Sequence, residues 1–248
     1  MAYAVITRDE DGVAPYAAAL VPLGLEAVAM PVTCTAPAGD PGELAGAIRR
    51  GGYAAIVVAS ARAAAALVAA AGGSLGGDVV VWAVGPATAR ALEAAGIAAR
   101  VSPQARDAAT LARAMLGEQS LAGRRVLVPR AEGGRDEAIT VLREAGALVD
   151  AVVAYRTVAA SPDDPALARG LEVLRAELAG VCAVFAPSQV AALDALVGIR
   201  RISVPYAAIG ETTATALRRA GAATVVISDR PTPESLAKAV AAVYPRTS

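Results

Sequence analysis

VWAVGPATARALEAAG, residues 81–96, closes an apolar run at Gly85 and begins a helical pattern one residue later. A second stretch, YAAIGETTATALRRAG at 206–221, repeats the design and keeps a threonine three residues after its glycine. A strand that stops at glycine and turns straight into a helix exposes unpaired backbone N–H groups at the positive end of the helix dipole, which favours an anion. Pro86 occupies the first turn in one copy, and Glu211, Thr212 and Thr213 occupy it in the other. Thr88 and Thr213 either cap their helices or turn their hydroxyls toward a ligand. Their paired occurrence keeps both readings open, and it makes Gly85, Thr88, Gly210, Thr212 and Thr213 candidate contacts for an anionic ligand.

The repetition extends beyond these two turns. Arg8, Glu10, Gly12 and Gly24 recur as Arg130, Glu132, Gly134 and Gly146, 122 residues later, and Gly85, Thr88, Leu92, Gly96 and Leu111 recur 125 residues later, ending at Leu236. Short β-branched runs such as YAVIT, AIVVAS, RRVLVP and CAVFAP alternate with alanine- and leucine-rich helical segments, the pattern of parallel α/β layers. Several helices end in glycine, which supplies a left-handed C-terminal cap (Gly24, Gly96, Gly146, Gly221). The expected fold is two related flavodoxin-like or Rossmann-like parallel-sheet domains, with ligands beyond the carboxyl ends of the strands. Periodicity alone cuts the chain once, near residues 118–125. VTCTAPAGDPG (32–42) and AYRTVAASPDDP (154–165) also read as linkers, and if the chain crosses at both places one domain is discontinuous.

Composition bounds the function. Lys plus Arg equals Asp plus Glu at 23 each, so no net field recommends nucleic acid or a membrane surface as partner. The chain has no histidine and only two widely separated cysteines, which argues against a zinc site. Cys34 and Cys182 read as small packed residues. The most apolar stretch, 54–73, carries Arg62 and ends in glycines, so it reads as a strand entering a helix rather than a membrane span. The N-terminal stretch lacks the order of a signal peptide, and the expected location is the cytoplasm.

Phosphate-loop and dinucleotide fingerprints are absent from the sequence. Arg130 and Arg135, beside Gly133 and Gly134, suit carboxylate or phosphate contact, with solvated surface charge as the alternative; Arg8 stands in the position equivalent to Arg130. Ser60 and Ser188 follow strands without a histidine or lysine to act as base, so they read as caps or as ligand contacts rather than nucleophiles. Tyr155 has no counterpart in the first half. A residue that is not repeated is free to serve one reaction, and a phenol can donate a hydrogen bond or a proton to a departing hydroxyl; a strand-end tyrosine with its hydroxyl in water is the alternative.

ITR (6–8), AVGPATARAL (83–92), GRRVLVPRAEGGRDEAITVLREAGALVDAVVAYRTV (123–158), AAIGETTATALRRAG (207–221) and PTPESL (231–236), in this order, resemble the uroporphyrinogen-III synthase family over nearly the whole chain. The resemblance implies a first domain of 1–33 plus 159–248, a second of 37–154, and extended linkers near 34–36 and 155–158. It implies a cofactor-free, metal-free lyase that closes hydroxymethylbilane, a linear tetrapyrrole polycarboxylate, with its last ring inverted and water lost. Tyr155 would assist loss of the hydroxyl. Arg8, Ser60, Gly85, Thr88, Arg130, Ser188, Gly210, Thr212 and Thr213 would contact substrate. Pro187 stands where a serine is commoner in the family, which displaces Ser188 by one. A monomer is expected, with transient contact to the enzyme that supplies hydroxymethylbilane. The rival readings are a non-catalytic two-lobed module for a small anion and, less favoured, a nucleotide-dependent transferase.

Overall fold

The structure, a computed structural model, describes residues 2–38, 40–72, 75–76 and 78–244. The first repeat runs β1 (Ala2–Ile6), α1 (Glu10–Leu20), β2 (Leu25–Ala29), β3 (Thr33–Pro37), α2 (Pro41–Arg50), β4 (Tyr53–Val58), α3 (Ala61–Ala71), β5 (Val80–Ala83), α4 (Pro86–Glu93), β6 (Ala99–Val101) and α5 (Ala108–Glu118). The second runs β7 (Arg125–Ala131), α6 (Glu137–Glu144), β8 (Leu148–Ala159), α7 (Ala168–Arg175), β9 (Ala179–Val184), α8 (Pro187–Val197), β10 (Tyr206–Ala208), α9 (Glu211–Ala220), β11 (Val225–Ile227) and α10 (Pro233–Val240).

The compact units do not coincide with the repeats. Unit 1 comprises residues 1–34 and 158–248, and unit 2 residues 35–157. The sheet of unit 1 has the order β11-β10-β9-β1-β2, and that of unit 2 the order β3-β8-β7-β4-β5-β6. Each sheet therefore takes the first two strands of one repeat and the last three of the other, and unit 2 adds β3 at its edge. Relabelled by their place in the repeat, the five shared strands of each sheet follow the doubly wound order 2-1-3-4-5. The pairings between repeats are parallel: Val5 lies beside Cys182, and Leu127 beside Ile56.

Apolar periodicity explains the layers. Alternate residues of a strand face opposite sides, so Ala4 and Ile6 pack with α1 and α10, while Val5 packs with α7, α8 and α9. In unit 2 the α2, α3 and α4 face buries Ile56 and Val58, and the α5 and α6 face buries Ala55, Val57 and Trp82. Thr88, Ala89 and Leu92 make the buried stripe of α4; Thr213, Ala214 and Leu217 make that of α9. Leu92 and Leu217 are fully buried, each contributing about 1.5–3 kcal/mol. Gly146 and Gly221 adopt φ of 82° and 91°, the left-handed conformation expected after a helix end.

Cys182 is a packed core residue, and burial pushes its thiol up to about 12. Cys34 is not: it is exposed on β3, an edge strand with a mixed burial pattern, so the expectation of a packed residue fails there.

At the amino ends of the unit 2 strands, Arg125 Nη2 donates to Asp150 Oδ2 (2.5 Å), the Tyr53 hydroxyl donates to the same oxygen (2.6 Å), and the Arg125 guanidinium lies over the Tyr53 ring. The hydrogen bond from Tyr53, then that from Arg125, holds the Asp150 carboxyl below its usual range. A depressed carboxylate stabilises the fold above its unfolded pKa near 3.9 and loses that contribution as pH falls through the folded value. Asp150→Asn is therefore expected to cost about 1 kcal/mol at neutral pH, the discounted worth of a partly exposed pair, in denaturant titrations. The difference from the parent should shrink below about pH 4, and a difference that grows in acid would contradict the assignment.

Candidate functional site

β4 and β9 end, and α3 and α8 begin, at matching places. Ser60 is the cap residue of α3, and Ala186 stands at the same place before α8. In unit 2 the Ala63 N–H donates to Ser60 Oγ (3.1 Å), the ordinary serine cap. The same Oγ lies 3.0 Å from the Tyr155 hydroxyl, joining two candidates that are 95 residues apart in sequence. Tyr155 is able to reach this cap because β8 continues as a strand of unit 2 through its position, its register shifting between Arg130 and Ala131 opposite.

Ser60 and Tyr155 border a cavity of about 530 Å³ beyond the carboxyl ends of β4 and β7. In the 2-1-3-4-5 order these strands flank the switch point, where helices depart to opposite faces. The N-termini of α3, α5 and α6 all contribute to its wall, through Ser60, Ala108 and Ala138 among others. The α3 terminus has no acidic residue in its first turn and favours negative charge, whereas Asp107 and Glu137 already stand at those of α5 and α6. Asp107 caps α5; the Thr110 N–H and then its hydroxyl hold the Asp107 carboxyl below its usual range.

Arg130 is also in this wall, and it is not solvated surface charge. Its side chain is 20% exposed; Nη1 donates to Asp136 Oδ1 and Nη2 to the Gly134 carbonyl, while Nε is buried without a partner among the described residues. A larger trough of about 710 Å³ lies between α2 and α3 and also touches Tyr155, but its walls are mainly alanine side chains. The larger trough carries Thr35, Asp40 and Arg62 beside Tyr155, whereas Ser60, Tyr155 and three arginines border the smaller one.

The threonines correct one of the two readings given above. Gly85 and Gly210 are the cap residues, with extended φ of −156° and −176°, so neither Thr88 nor Thr213 caps its helix. Both sit at the third helical position with their side chains buried, Thr213 at 1% exposure, and their hydroxyls make no hydrogen bond among the described residues. A Cβ on Gly85 or Gly210 would meet nothing within 4 Å, so packing among the described residues does not account for glycine there.

Arg8, Ser188, Gly210, Thr212 and Thr213 belong to unit 1, and Ser60, Gly85, Thr88, Arg130 and Tyr155 to unit 2. Arg8 stacks on Phe185 (4.3 Å) and Tyr16 (5.4 Å) and makes no ion pair among the described residues. Ser188 is exposed in the first turn of α8, two positions past the cap site rather than one. Thr212 is exposed beside a groove between α8 and α9. Two polar residues were overlooked in the sequence, Thr7 and Gln189. Gln189 Nε2 donates to the Thr7 carbonyl (2.8 Å), and its Oε1 accepts from the Phe185 N–H (2.9 Å). The available signal was the mismatch between VVASARAA (57–64) and AVFAPSQV (183–190) at matched positions.

Among the described residues, no group of three or more His, Cys, Asp and Glu side chains could hold a metal ion, and no helix is long and apolar enough to cross a membrane. The sequence pattern of uroporphyrinogen-III synthase HemD matches residues 14–238. The chain belongs to the uroporphyrinogen-III synthase family. The activity that goes with membership is that of a lyase of tetrapyrrole synthesis. The fold is similar to a mutant uroporphyrinogen III synthase of Thermus thermophilus, at 20% identity over 96% of each chain and a TM-score of 0.51. It is also similar to the uroporphyrinogen-III synthetase of Helicobacter pylori, at 16% identity, 96% of this chain and 97% of that one, with a TM-score of 0.59. At these identities the structural likeness speaks to the fold. No curated protein sequence matches the chain significantly.

Because Ser60 serves α3 as well as Tyr155, its two roles separate by substitution. Ser60→Ala is expected to lower stability by about 1 kcal/mol in chemical denaturation, and Ser60→Thr, which keeps a capping hydroxyl, by less than half of that. Equal losses in the two variants would show that the cap is not what the serine supplies.

Proposed function

We propose that the chain converts hydroxymethylbilane to uroporphyrinogen III and that Tyr155, held by Ser60, assists the departure of the substrate hydroxyl. The observation that carries this reading is the 3.0 Å contact between the two hydroxyls at the edge of a cavity onto which three helix N-termini open. Ser60 Oγ already accepts from the Ala63 N–H. When its own proton is donated to Tyr155 Oη, the phenol proton is left free to point at a leaving group. The pyrrole nitrogen of the terminal ring pushes out the hydroxyl, which takes a proton from Tyr155 and leaves as water. The azafulvene so formed is attacked within the folded chain through a spiro intermediate, and the proton lost as the ring becomes aromatic again restores the phenol. Little further acid–base chemistry is required. Holding a flexible substrate in the reactive geometry supplies a large part of such an acceleration.

The remaining contacts are proposed unit by unit. Gly85 and Thr88 in unit 2, and Gly210, Thr212 and Thr213 in unit 1, offer backbone N–H groups and hydroxyls to substrate carboxylates. The extended glycines, which φ and packing leave unexplained, support that role. Arg8, Arg130 and Ser188 are proposed as further contacts; for Arg130 the existing bonds to Asp136 and Gly134 make its role that of a fixed wall. We read the protein as a cytoplasmic monomer without cofactor. Its reactive substrate closes spontaneously to the type I isomer, which favours transient contact with the enzyme that makes it.

Given enzymatically made hydroxymethylbilane, the purified chain is expected to yield the type III isomer in chromatographic analysis; product that is wholly type I would overturn the reading. Tyr155→Phe is expected to lower kcat by about a hundredfold or more, the usual worth of a positioned acid, while stability changes by less than about 1 kcal/mol. Unaltered turnover in that variant would remove Tyr155 from the mechanism.

A further inference from the structure

The two units have the same strand order, so each has its own switch point, and the two can be compared residue by residue. Ser60 and Ala186 hold the same cap position, which matches Ala59 to Phe185 and Ala63 to Gln189. The sheet registers, Val5 beside Cys182 and Leu127 beside Ile56, match Thr7 to Pro129 and Arg8 to Arg130.

In unit 1 these positions are filled. Gln189 spans from the Thr7 carbonyl to the Phe185 N–H, and the Thr7 hydroxyl lies 2.9 Å from Gln189 Oε1 and 3.0 Å from the Ala183 carbonyl. The Phe185 ring lies against Tyr16 at 4.8 Å, and the Arg8 guanidinium covers both rings. In unit 2 the corresponding side chains are two alanines, a proline and an arginine pinned at the wall, and the space is the 530 Å³ cavity. Arg106 and Arg135 at its rim are exposed and make no side-chain ion pair among the described residues.

We propose that the switch point of unit 2 is a subsite for a carboxylate-bearing side group, opened by Ala59 and Ala63, and that the equivalent point of unit 1 is closed by its Gln189 and Phe185 plug. Arg106 and Arg135 attract the anion, and Ser60 and Tyr155 at the inner edge fix which part of the ligand lies next to the phenol. The N-terminus of α3 adds to the same preference, while Asp107 and Glu137 already occupy those of α5 and α6 and confine the anion to the side of Arg106, Arg135 and Ser60. Of the two switch points, among the described residues, one is thus open and one filled, and the asymmetry comes from side chains rather than backbone. The proposal rests on the functional reading above only for the source of the carboxylate.

The test is a titration of the full chain with propane-1,2,3-tricarboxylate, followed by NMR. The amide signals of Ser60, Ala63 and Arg135 should shift and saturate, while those of Phe185 and Gln189 stay in place. Transplanting the plug as Ala59→Phe with Ala63→Gln should weaken binding roughly tenfold, the worth of one charge-assisted hydrogen bond. Ala63→Gln alone carries the test if the double variant does not fold. Absence of saturable shifts, equal shifts at Phe185 and Gln189, or unchanged affinity in the folded plugged variant would overturn the proposal. The isomer assay reports separately on the reaction, so failure of the subsite and failure of the functional reading are distinguishable.

Discussion

Val5 lies beside Cys182 and Leu127 beside Ile56, so in each sheet the first strand of one repeat is hydrogen-bonded in parallel to the third strand of the other. A parallel pair demands that both faces be covered, and here the covering helices also come from both repeats: α1 and α10 on one face of unit 1, α7, α8 and α9 on the other. Neither repeat can close a sheet from its own strands in this arrangement. The same pairings create the two switch points, because that is where the chain leaves adjacent strands toward opposite faces. The Ser60 cap, the Tyr155 hydroxyl and the unit 2 cavity all follow from the β7–β4 pair.

Chemistry is then distributed by small departures from symmetry. Ser60 caps α3, whereas Ala186 leaves α8 without a side-chain cap and Ser188 stands in the helix beyond it. Ala63 leaves space where Gln189 builds a hydrogen-bonded plug. Tyr155 comes from a strand long enough to reach the cap of a helix belonging to the other repeat. A reaction in which the substrate supplies most of its own electronic push needs few protein groups, and those must be held firmly. Both Ser60 bonds, to the Ala63 N–H and to Tyr155, hold the phenol against a rigid helix terminus.

Alternation of β-branched runs with alanine-rich helices was enough to read parallel α/β layers, and the paired glycines and threonines revealed the repeat. Which strands pair was not legible, because parallel partners such as the Thr7 and Ala183 regions are 176 residues apart and leave no local turn signal. The threonines were ambiguous for a local reason: an extended glycine takes the cap position, and that moves Thr88 and Thr213 to the buried stripe of their helices. Cys34 was misread because burial on an edge strand depends on its neighbours, and β3 has a strand partner on one side only. Tyr155 was picked out because it was not repeated, but its contact with Ser60 is a tertiary event that no spacing encodes.

In the proposed mechanism Ser60 and Tyr155 act as one unit in the chemical step. A double-mutant cycle on kcat, with Ser60→Ala, Tyr155→Phe and the combined variant, measures this directly. Once the phenol is gone, loss of the serine hydroxyl should have little further effect on kcat, so the combined variant is expected to be about as slow as Tyr155→Phe alone. Losses that multiply independently would show that the serine acts elsewhere and would separate Ser60 from the role of the phenol.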